Sequence, residues 1–305
     1  MQHRSGTAHA LPLPRHGAAR RLLSCIRFDE VAVLQGAPLL GACFAMSDVN
    51  LAGVLTMAAL VAGNACLVAY VFLLNDWAGI EGDLKDPHRA ARTFLAQGAS
   101  RAGVLRFALI LLTLAVLLLG LFGTTAFVLA LAIAALGALY SVPATHGKGR
   151  PIVNSALHLL GGTLHFLMGY VAFAPVSAHG IAIGCYFGLV FAAGHLTHEA
   201  RDYEGDALNG IRTNAVAFGR RGGVLASLAL FTLAYALLVA LALGGVVPAV
   251  LAGAALLYPL HLLATLRALR SGLDYAGLRR LQDRYRCLHA VIGLAMLITV
   301  PPWPA

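Results

Sequence analysis

The stretch LAGVLTMAALVAGNACLVAYVFLLNDWAGIEGD, residues 51–83, decides the fold. Its first part, residues 51–74, carries no charged side chain. A helix needs about 20 predominantly apolar residues to cross a bilayer. Acidic residues follow directly, beginning at Asp76. The pattern predicts a membrane-spanning helix that ends in a cluster of carboxylates.

The whole chain has the composition of a membrane protein. Of its 305 residues, 59% are hydrophobic and 11% charged, whereas soluble domains have about 45–50% and about 25%. This excludes an ordinary soluble domain and a disordered chain. The five cysteines include no C-x-x-C pair, which argues against a disulfide framework or a structural zinc site. We predict an all-α, polytopic protein with nine spans, at residues 31–47, 51–74, 104–121, 124–141, 152–175, 180–198, 223–243, 246–266 and 287–303.

The positive charges predict the orientation. All 22 lysines and arginines fall before the first span, in the connections after spans two, four, six and eight, or near a helix end, as Arg106 does at the start of the third span. The positive-inside rule then places the N-terminus and these loops in the cytoplasm and the C-terminus outside, as in a bacterial inner-membrane protein. Because the bases are dispersed along membrane edges, we expect the lipid bilayer, and no nucleic acid, as partner. Residues 1–22 are predicted to be a flexible tail, and residues 23–305 one transmembrane domain.

Acidic residues cluster after the second and sixth spans. The second cluster contains Glu199, Asp202 and Asp206, which share one face if the helix continues. Such hard oxygen ligands suit Mg²⁺ together with substrate phosphates. In the first cluster, Asn75, Asp76 and Asp83 precede Arg89 and Arg92, a mixture suited to a magnesium–diphosphate complex. A solvated or salt-bridged loop is the alternative interpretation of either cluster.

Two predicted spans carry polar stripes. The fifth contains Asn154, His158 and His165, with Gly161 on the same face. The sixth contains His195, which follows small residues on one helical face. Ionisable residues in spans are costly and tend to face a cavity or the protein interior. Contact with a bound substrate and a hydrogen bond to a neighbouring helix are the two interpretations.

Taken together, these motifs resemble the UbiA superfamily of intramembrane prenyltransferases over nearly the whole chain. The family motif N-D-x-x-D-x-x-x-D aligns with Asn75, Asp76, Gly79 and Asp83, and D-x-x-D-x-x-x-D aligns with Glu199, Asp202 and Asp206. Y-S-x-P at 140–143 and K-x-R-P at 148–151 are also similar to the family.

The resemblance implies helices around a central cavity, a Mg²⁺ cofactor, an isoprenyl diphosphate donor and a small, often aromatic, acceptor that captures an allylic cation. Carried over by position, the implied metal ligands are Asn75, Asp76, Asp83, Glu199, Asp202 and Asp206. The implied diphosphate-binding bases are Arg27, Arg92, Lys148 and Arg201. The implied catalytic residues are Asp76, Asp83, Asp202, Asp206 and Tyr140. Candidate acceptor or cavity residues are Asn154, His158, His165, His195 and His198.

One departure from the family pattern leaves alternatives open. Gly79 stands where the first motif has its middle aspartate. A membrane terpene cyclase, in which the donor's own double bond captures the cation, is therefore an alternative function. A transporter or binding protein for a metal or anionic lipid is a third hypothesis, and it predicts no chemical turnover.

Overall fold

The computed structural model describes residues 17–86 and 89–300, and it is helical, with no β-strand in these ranges. The α-helices are α1 (Ala18–Leu23), α2 (Phe28–Val33), α3 (Gly36–Ala45), α4 (Leu51–Asp83), α5 (Arg101–Gly120), α6 (Thr124–Ser141), α7 (Val153–Val171), α8 (Ala178–Arg201), α9 (Tyr203–Leu208), α10 (Asn214–Leu243), α11 (Tyr258–Arg270) and α12 (Tyr275–Thr299). Short 3₁₀ segments are Ala90–Arg92, Gly147–Gly149 and Ala249–Leu257. Most of the predicted tail, residues 1–16, lies outside the described residues, and residues 18–22 belong to α1.

The prediction of an all-α polytopic membrane fold is confirmed. In the described part of the chain, seven helical segments are long and apolar enough to cross a membrane. The predicted fifth and ninth spans correspond to α7 and α12, which are long helices outside that group of seven. The count of nine spans therefore stays a prediction.

The first predicted span is divided into α2 and α3. The chain bends at Leu34 and Gln35, where the amide of Gln35 bonds the carbonyl of Ala32 in a 3₁₀ turn. Pro38 has no amide hydrogen and cannot donate to the carbonyl one turn earlier, which interrupts the helical ladder here. The side chain of Gln35, at this bend, is buried.

Helix α4 is longer than a membrane requires. It has 33 residues, which corresponds to about 50 Å of helix, against a hydrocarbon thickness of about 30 Å. The side chain of Asn50 caps its first turn by accepting from the amide of Gly53. The excess length carries Asn75, Asp76 and Asp83 to one end of the helix, where they meet the loops.

Helices α7 and α8 are in close contact. A Cβ atom on Gly162 would lie 2.7 Å from the Cβ atom of Phe191, and one on Gly188 would lie 2.5 Å from the carbonyl oxygen of Leu159. Small residues at such positions allow helix backbones to approach closely. The contact fixes the register between the polar stripes of α7 and α8, so that His158 and His195 face one another.

Candidate active site

A cavity of about 1760 Å³ opens among α2, α3, α4, α6, α7, α8 and α12. Its polar end is formed by the ends of α4 and α8 and by the loops that follow them. Its other end is apolar, with Met57, Val68, Ile133 and Leu297 in its wall. The cavity therefore joins a charged site to a hydrocarbon-lined chamber.

Nearly all residues singled out in the sequence line this cavity. They are Arg27, Asn75, Asp76, Asp83, Arg92, Tyr140, Lys148, His158, His165, His195, His198, Glu199, Arg201, Asp202 and Asp206. Asn154 is fully buried beneath the wall. Arg92 is exposed at the mouth, and its backbone carbonyl accepts a bond from Gln97.

Arg89 connects the two acidic clusters. Its guanidinium donates to Asp83 at 3.2 Å and to Asp202, and its Nε lies 3.5 Å from Asp86. The carboxylates of Asp83 and Asp202 therefore lie on one guanidinium group, although they belong to different motifs. The single positive charge of Arg89 is therefore close to three carboxylates.

Other bases pair with the remaining acids. Arg27 forms an ion pair with Asp76, and Nζ of Lys148 lies 3.1 Å from Oδ1 of Asp206. Arg201 donates to Asp202 at 2.7 and 3.1 Å, and to Gln282 at 2.9 Å. Three of the four predicted diphosphate-binding bases are thus held against the acids.

The two aspartates of the second cluster differ in pKa. Burial alone raises the pKa of Asp202, but the hydrogen bond from Arg201 and the charge of Arg89 outweigh it and lower this pKa. Burial raises the pKa of Asp206 against the opposing charge of Lys148, and the charge of Asp202 adds to the increase. Burial would lower the pKa of Arg89, but Asp202 and Asp83 raise it, so the guanidinium stays charged.

The carboxylate of Glu199 accepts hydrogen bonds from other parts of the protein and does not share a base with the aspartates. Its Oε1 accepts from Asn154 and lies 3.2 Å from Nε2 of His195. Its Oε2 accepts from the backbone and side-chain amides of Asn214, at 3.1 and 2.9 Å. The side chain is 3% exposed. The predicted single helical face does not form either, because α8 ends at Arg201 and α9 begins at Tyr203.

The predicted aromatic and imidazole residues converge beside this network. The rings of His158 and His195 stack, with centroids 3.4 Å apart and planes 10° apart. Tyr140 meets His158 edge-on at 5.0 Å and His195 at 5.9 Å. His198 lies elsewhere on the wall, where its Nε2 is 3.4 Å from Arg286.

The acids of the polar end fit a magnesium ion in chemistry. Asp83, Asp202 and Asp206 present hard oxygen donors to the cavity, with Asn75 and Asp76 beside them. Their charge is balanced by bases, and no three acidic, histidine or cysteine side chains in residues 17–86 and 89–300 already form a metal cluster. A cation here would replace ion pairs that the bases now make.

Several residues of the site were not predicted. The sequence does not single out Arg89, because nothing in the spacing distinguishes it from Arg92. Asn214 reaches Glu199 from the start of α10, and Gln35 and Asn64 form a buried polar chain with His165. Polar amides inside apolar spans were the available signal for Gln35 and Asn64.

Comparison with known proteins identifies the family. The model of the UbiA prenyltransferase family matches residues 36–276, which is most of the chain. The chain therefore belongs to the UbiA prenyltransferase family, as the sequence motifs predicted, and it is an integral, multi-pass membrane protein. No curated protein matches significantly.

Solved structures share the fold. A UbiA homologue from Archaeoglobus fulgidus bound to GPP and Mg²⁺ is 17% identical, with a TM-score of 0.67 over 91% of this chain and 99% of that one. The apo UbiA homologue from Aeropyrum pernix K1 is 18% identical, with a TM-score of 0.71 over 90% of this chain and 98% of the other. A digeranylgeranylglyceryl phosphate synthase is 18% identical, with a TM-score of 0.70 over 93% and 98%.

Proposed function

We propose that the protein is a Mg²⁺-dependent prenyltransferase that moves an isoprenyl group from its diphosphate to a small aromatic acceptor inside the membrane. One observation carries the proposal: two acidic segments and their bases meet at the polar end of an apolar cavity. The diphosphate matches the charged end and the isoprenyl chain matches the apolar end. The solved relative that holds GPP and Mg²⁺ supports this assignment.

The acidic and the basic side chains have different proposed roles. Asp83, Asp202 and Asp206 would hold Mg²⁺, while Arg89 and Lys148, now paired with them, would turn to the diphosphate oxygens. Bound Mg²⁺ supplies positive charge against the leaving diphosphate. Charge developing on a leaving group is stabilised best by donors that are already in place.

The reaction breaks the bond between the allylic carbon and the diphosphate oxygen, and the electron pair leaves with the diphosphate. A π electron pair of the acceptor ring forms the new carbon–carbon bond, and the ring then releases one proton. Tyr140 lies between the charged end and the imidazole pair, and its ring face can stabilise an allylic cation. We therefore assign the cation-stabilising role to Tyr140.

The test is a mass-spectrometric turnover assay on the purified protein. Geranyl, farnesyl and geranylgeranyl diphosphates are supplied with Mg²⁺, with and without a panel of phenolic acceptors. A product that joins the prenyl mass to an acceptor is the expected result. A cyclic hydrocarbon or alcohol formed without acceptor would establish the cyclase alternative, and donor left intact with every acceptor would overturn both.

We also infer that the polar end faces the cytoplasm, since the basic residues lie at this end of the helices. A C-terminal alkaline phosphatase fusion tests the orientation, because that enzyme is active only outside the cytoplasm. Activity is expected for the full chain. An inactive fusion together with a fluorescent C-terminal green fluorescent protein fusion would contradict it.

A further inference from the structure

Two imidazoles on one face of α7 point to how the acceptor is recognised. His158, Gly161 and His165 are spaced three and four residues apart, so they lie along one stripe of the helix, and all three line the cavity. His158 lies at the charged end beside Tyr140, and His165 lies two turns towards the apolar end.

The hydrogen bonds around His165 fix the tautomer of its neutral ring. Gln35 Nε2 donates to the carbonyl of Val31 at 3.0 Å, so Oε1 of Gln35 must be an acceptor. Asn64 Nδ2 donates to that oxygen at 3.0 Å, which leaves Oδ1 of Asn64 as an acceptor. Nδ1 of His165 lies 3.1 Å from Oδ1 and must carry the hydrogen. The neutral ring therefore has its lone pair on Nε2.

The same argument applies to His158. Its Nδ1 lies 2.7 Å from the carbonyl oxygen of Asn154, and a carbonyl can only accept. The lone pair is again on Nε2. His195 stacks on the ring, which holds its orientation. Both imidazoles are thus fixed as hydrogen-bond acceptors by their own surroundings.

Both histidines line the open cavity. Within the described residues, neither Nε2 atom has a protein partner, and neither is enclosed. Nε2 of His289 contrasts with them, because it is buried without a partner. A hydrocarbon chain against His158 and His165 would leave two polar atoms unpaired, which is costly. The ligand on this stripe must therefore donate hydrogen bonds.

The spacing selects the size of the ligand. Seven residues of helix correspond to a rise of about 10 Å between the backbone positions of the two histidines. An aromatic ring with a hydroxyl at each end, extended by one hydrogen bond of about 2.8 Å at either side, has about this length. Between them, a Cβ atom on Gly161 would contact only the Phe191 ring, at 3.7 Å. Because glycine has no side chain, the cavity wall leaves space for a ring at this position.

We propose that His158 and His165 form a two-point recognition site for an aromatic acceptor that carries hydrogen-bond donors at opposite ends, such as a 1,4-dihydroxy ring. The proposal rests on the prenyltransferase function proposed above and deepens it by naming the acceptor class. The isoprenyl chain then follows the opposite wall, where Val68, Phe72 and Ile133 line the cavity.

The experiment compares three probes that differ only in donors: 1,4-dihydroxybenzene, 4-methoxyphenol and 1,4-dimethoxybenzene. The KM and kcat for each are measured with wild type, His165→Leu, His165→Gln and Gly161→Ala. His179→Leu is the matched control, because His179 is exposed at the start of α8. Donor binding is followed separately by the Mg²⁺-dependent thermal shift with farnesyl diphosphate.

In wild type, we expect KM to rise about tenfold for each hydroxyl that is methylated. His165→Leu should raise KM for the dihydroxy probe about tenfold and remove its advantage over 4-methoxyphenol, with kcat changed much less. His165→Gln, which retains an acceptor oxygen, should restore part of the preference. Gly161→Ala should raise KM for all probes, and donor binding should be unchanged in every variant.

Two failures can be told apart. If wild type shows no Mg²⁺-dependent donor binding, the proposed function itself is wrong. If donor binding and transfer are intact but His165→Leu keeps the wild-type preference for two hydroxyls, the recognition site is overturned while the prenyltransferase function stands.

Discussion

Arg89 and Asp202 form an ion pair although 113 residues separate them in the chain. The same guanidinium bonds Asp83, so one arginine occupies the junction of the two acidic segments. A positive charge at this junction replaces part of what a metal ion would supply. The arginine and the ion should therefore be partly interchangeable in stabilising the fold.

Arg89→Ala tests this relationship. Without the guanidinium, three carboxylates repel each other, and an added cation relieves the repulsion. We expect a lower melting temperature in EDTA than for wild type, and a larger upward shift on adding Mg²⁺. Arg101→Ala is the control, since Arg101 pairs at 3.5 Å with the exposed Glu81 and such pairs contribute little. Equal Mg²⁺ shifts in wild type and Arg89→Ala would contradict the idea.

Removal of the carboxylates that we propose to hold Mg²⁺ should abolish the proposed transfer. Asp202→Ala and Asp206→Ala are each expected to lower kcat/KM at least about a hundredfold, because each removes a negative ligand from the cation. Glu81→Ala serves as the acidic control, because the Glu81 side chain is 83% exposed. Retention of full activity in both aspartate variants would refute the assignment.

Glu199 should behave differently from these aspartates. Its carboxylate accepts from Asn154 and Asn214 inside the protein, so its loss leaves buried amides unpaired. We expect Glu199→Ala to destabilise the folded state by roughly 3 kcal/mol, and to do so without Mg²⁺ or donor. Thermal unfolding in detergent with EDTA measures this effect. Asp202→Ala in the same buffer should unfold much closer to wild type, and the reverse order would contradict this structural role of Glu199.

The difference between Glu199 and the aspartates shows which features of the site can be predicted from the sequence. Runs of apolar residues predicted the polytopic helical fold, and the predicted topology placed Asp83 and Asp202 at the same end of the bundle. Glu199 lies in phase with them in the sequence, but its partner Asn214 comes from the next helix, which no local pattern reveals.

Arg89 and Arg92 show the same limit. Both follow the first motif, yet the 3₁₀ turn at Ala90–Arg92 leaves Arg92 exposed while Arg89 turns to the acids. The tautomers of His158 and His165 also depend on residues of other turns and helices. Composition and period determine where a helix lies, whereas side-chain partners are settled only when the helices pack.

Mg²⁺ affinity should depend on pH through Asp206. Burial raises the pKa of Asp206, whereas the pKa of Asp202 is lowered by Arg201 and Arg89 against burial. As the pH falls, Asp206 is protonated first and loses the charge that attracts the cation. The apparent Mg²⁺ affinity should therefore weaken by about tenfold per pH unit below that pKa.

A Mg²⁺ titration by thermal shift at several pH values measures this dependence. Asp206→Asn should bind Mg²⁺ weakly at every pH and show a flat profile over the same range. Glu204→Gln, at a position whose side chain is 70% exposed, is the control and should follow wild type. A wild-type affinity that stays constant as the pH falls would argue against Asp206 as a ligand.

Gly79 offers a gain-of-function test. A Cβ atom at this position would meet only Oδ2 of Asp83, at 3.9 Å, so an aspartate fits without displacing a neighbour. Asn75, Gly79 and Asp83 are spaced four residues apart on α4 and lie on one face. Gly79→Asp therefore adds a carboxylate one turn from Asp83, which should lower the Mg²⁺ concentration needed for half-maximal activity by several-fold. Gly79→Asn has nearly the same shape without the charge and should leave this concentration unchanged. The same requirement in both variants would show that the site does not extend to position 79, and an acceptor-free cyclic product that disappears only in Gly79→Asp would instead tie the glycine to cyclisation.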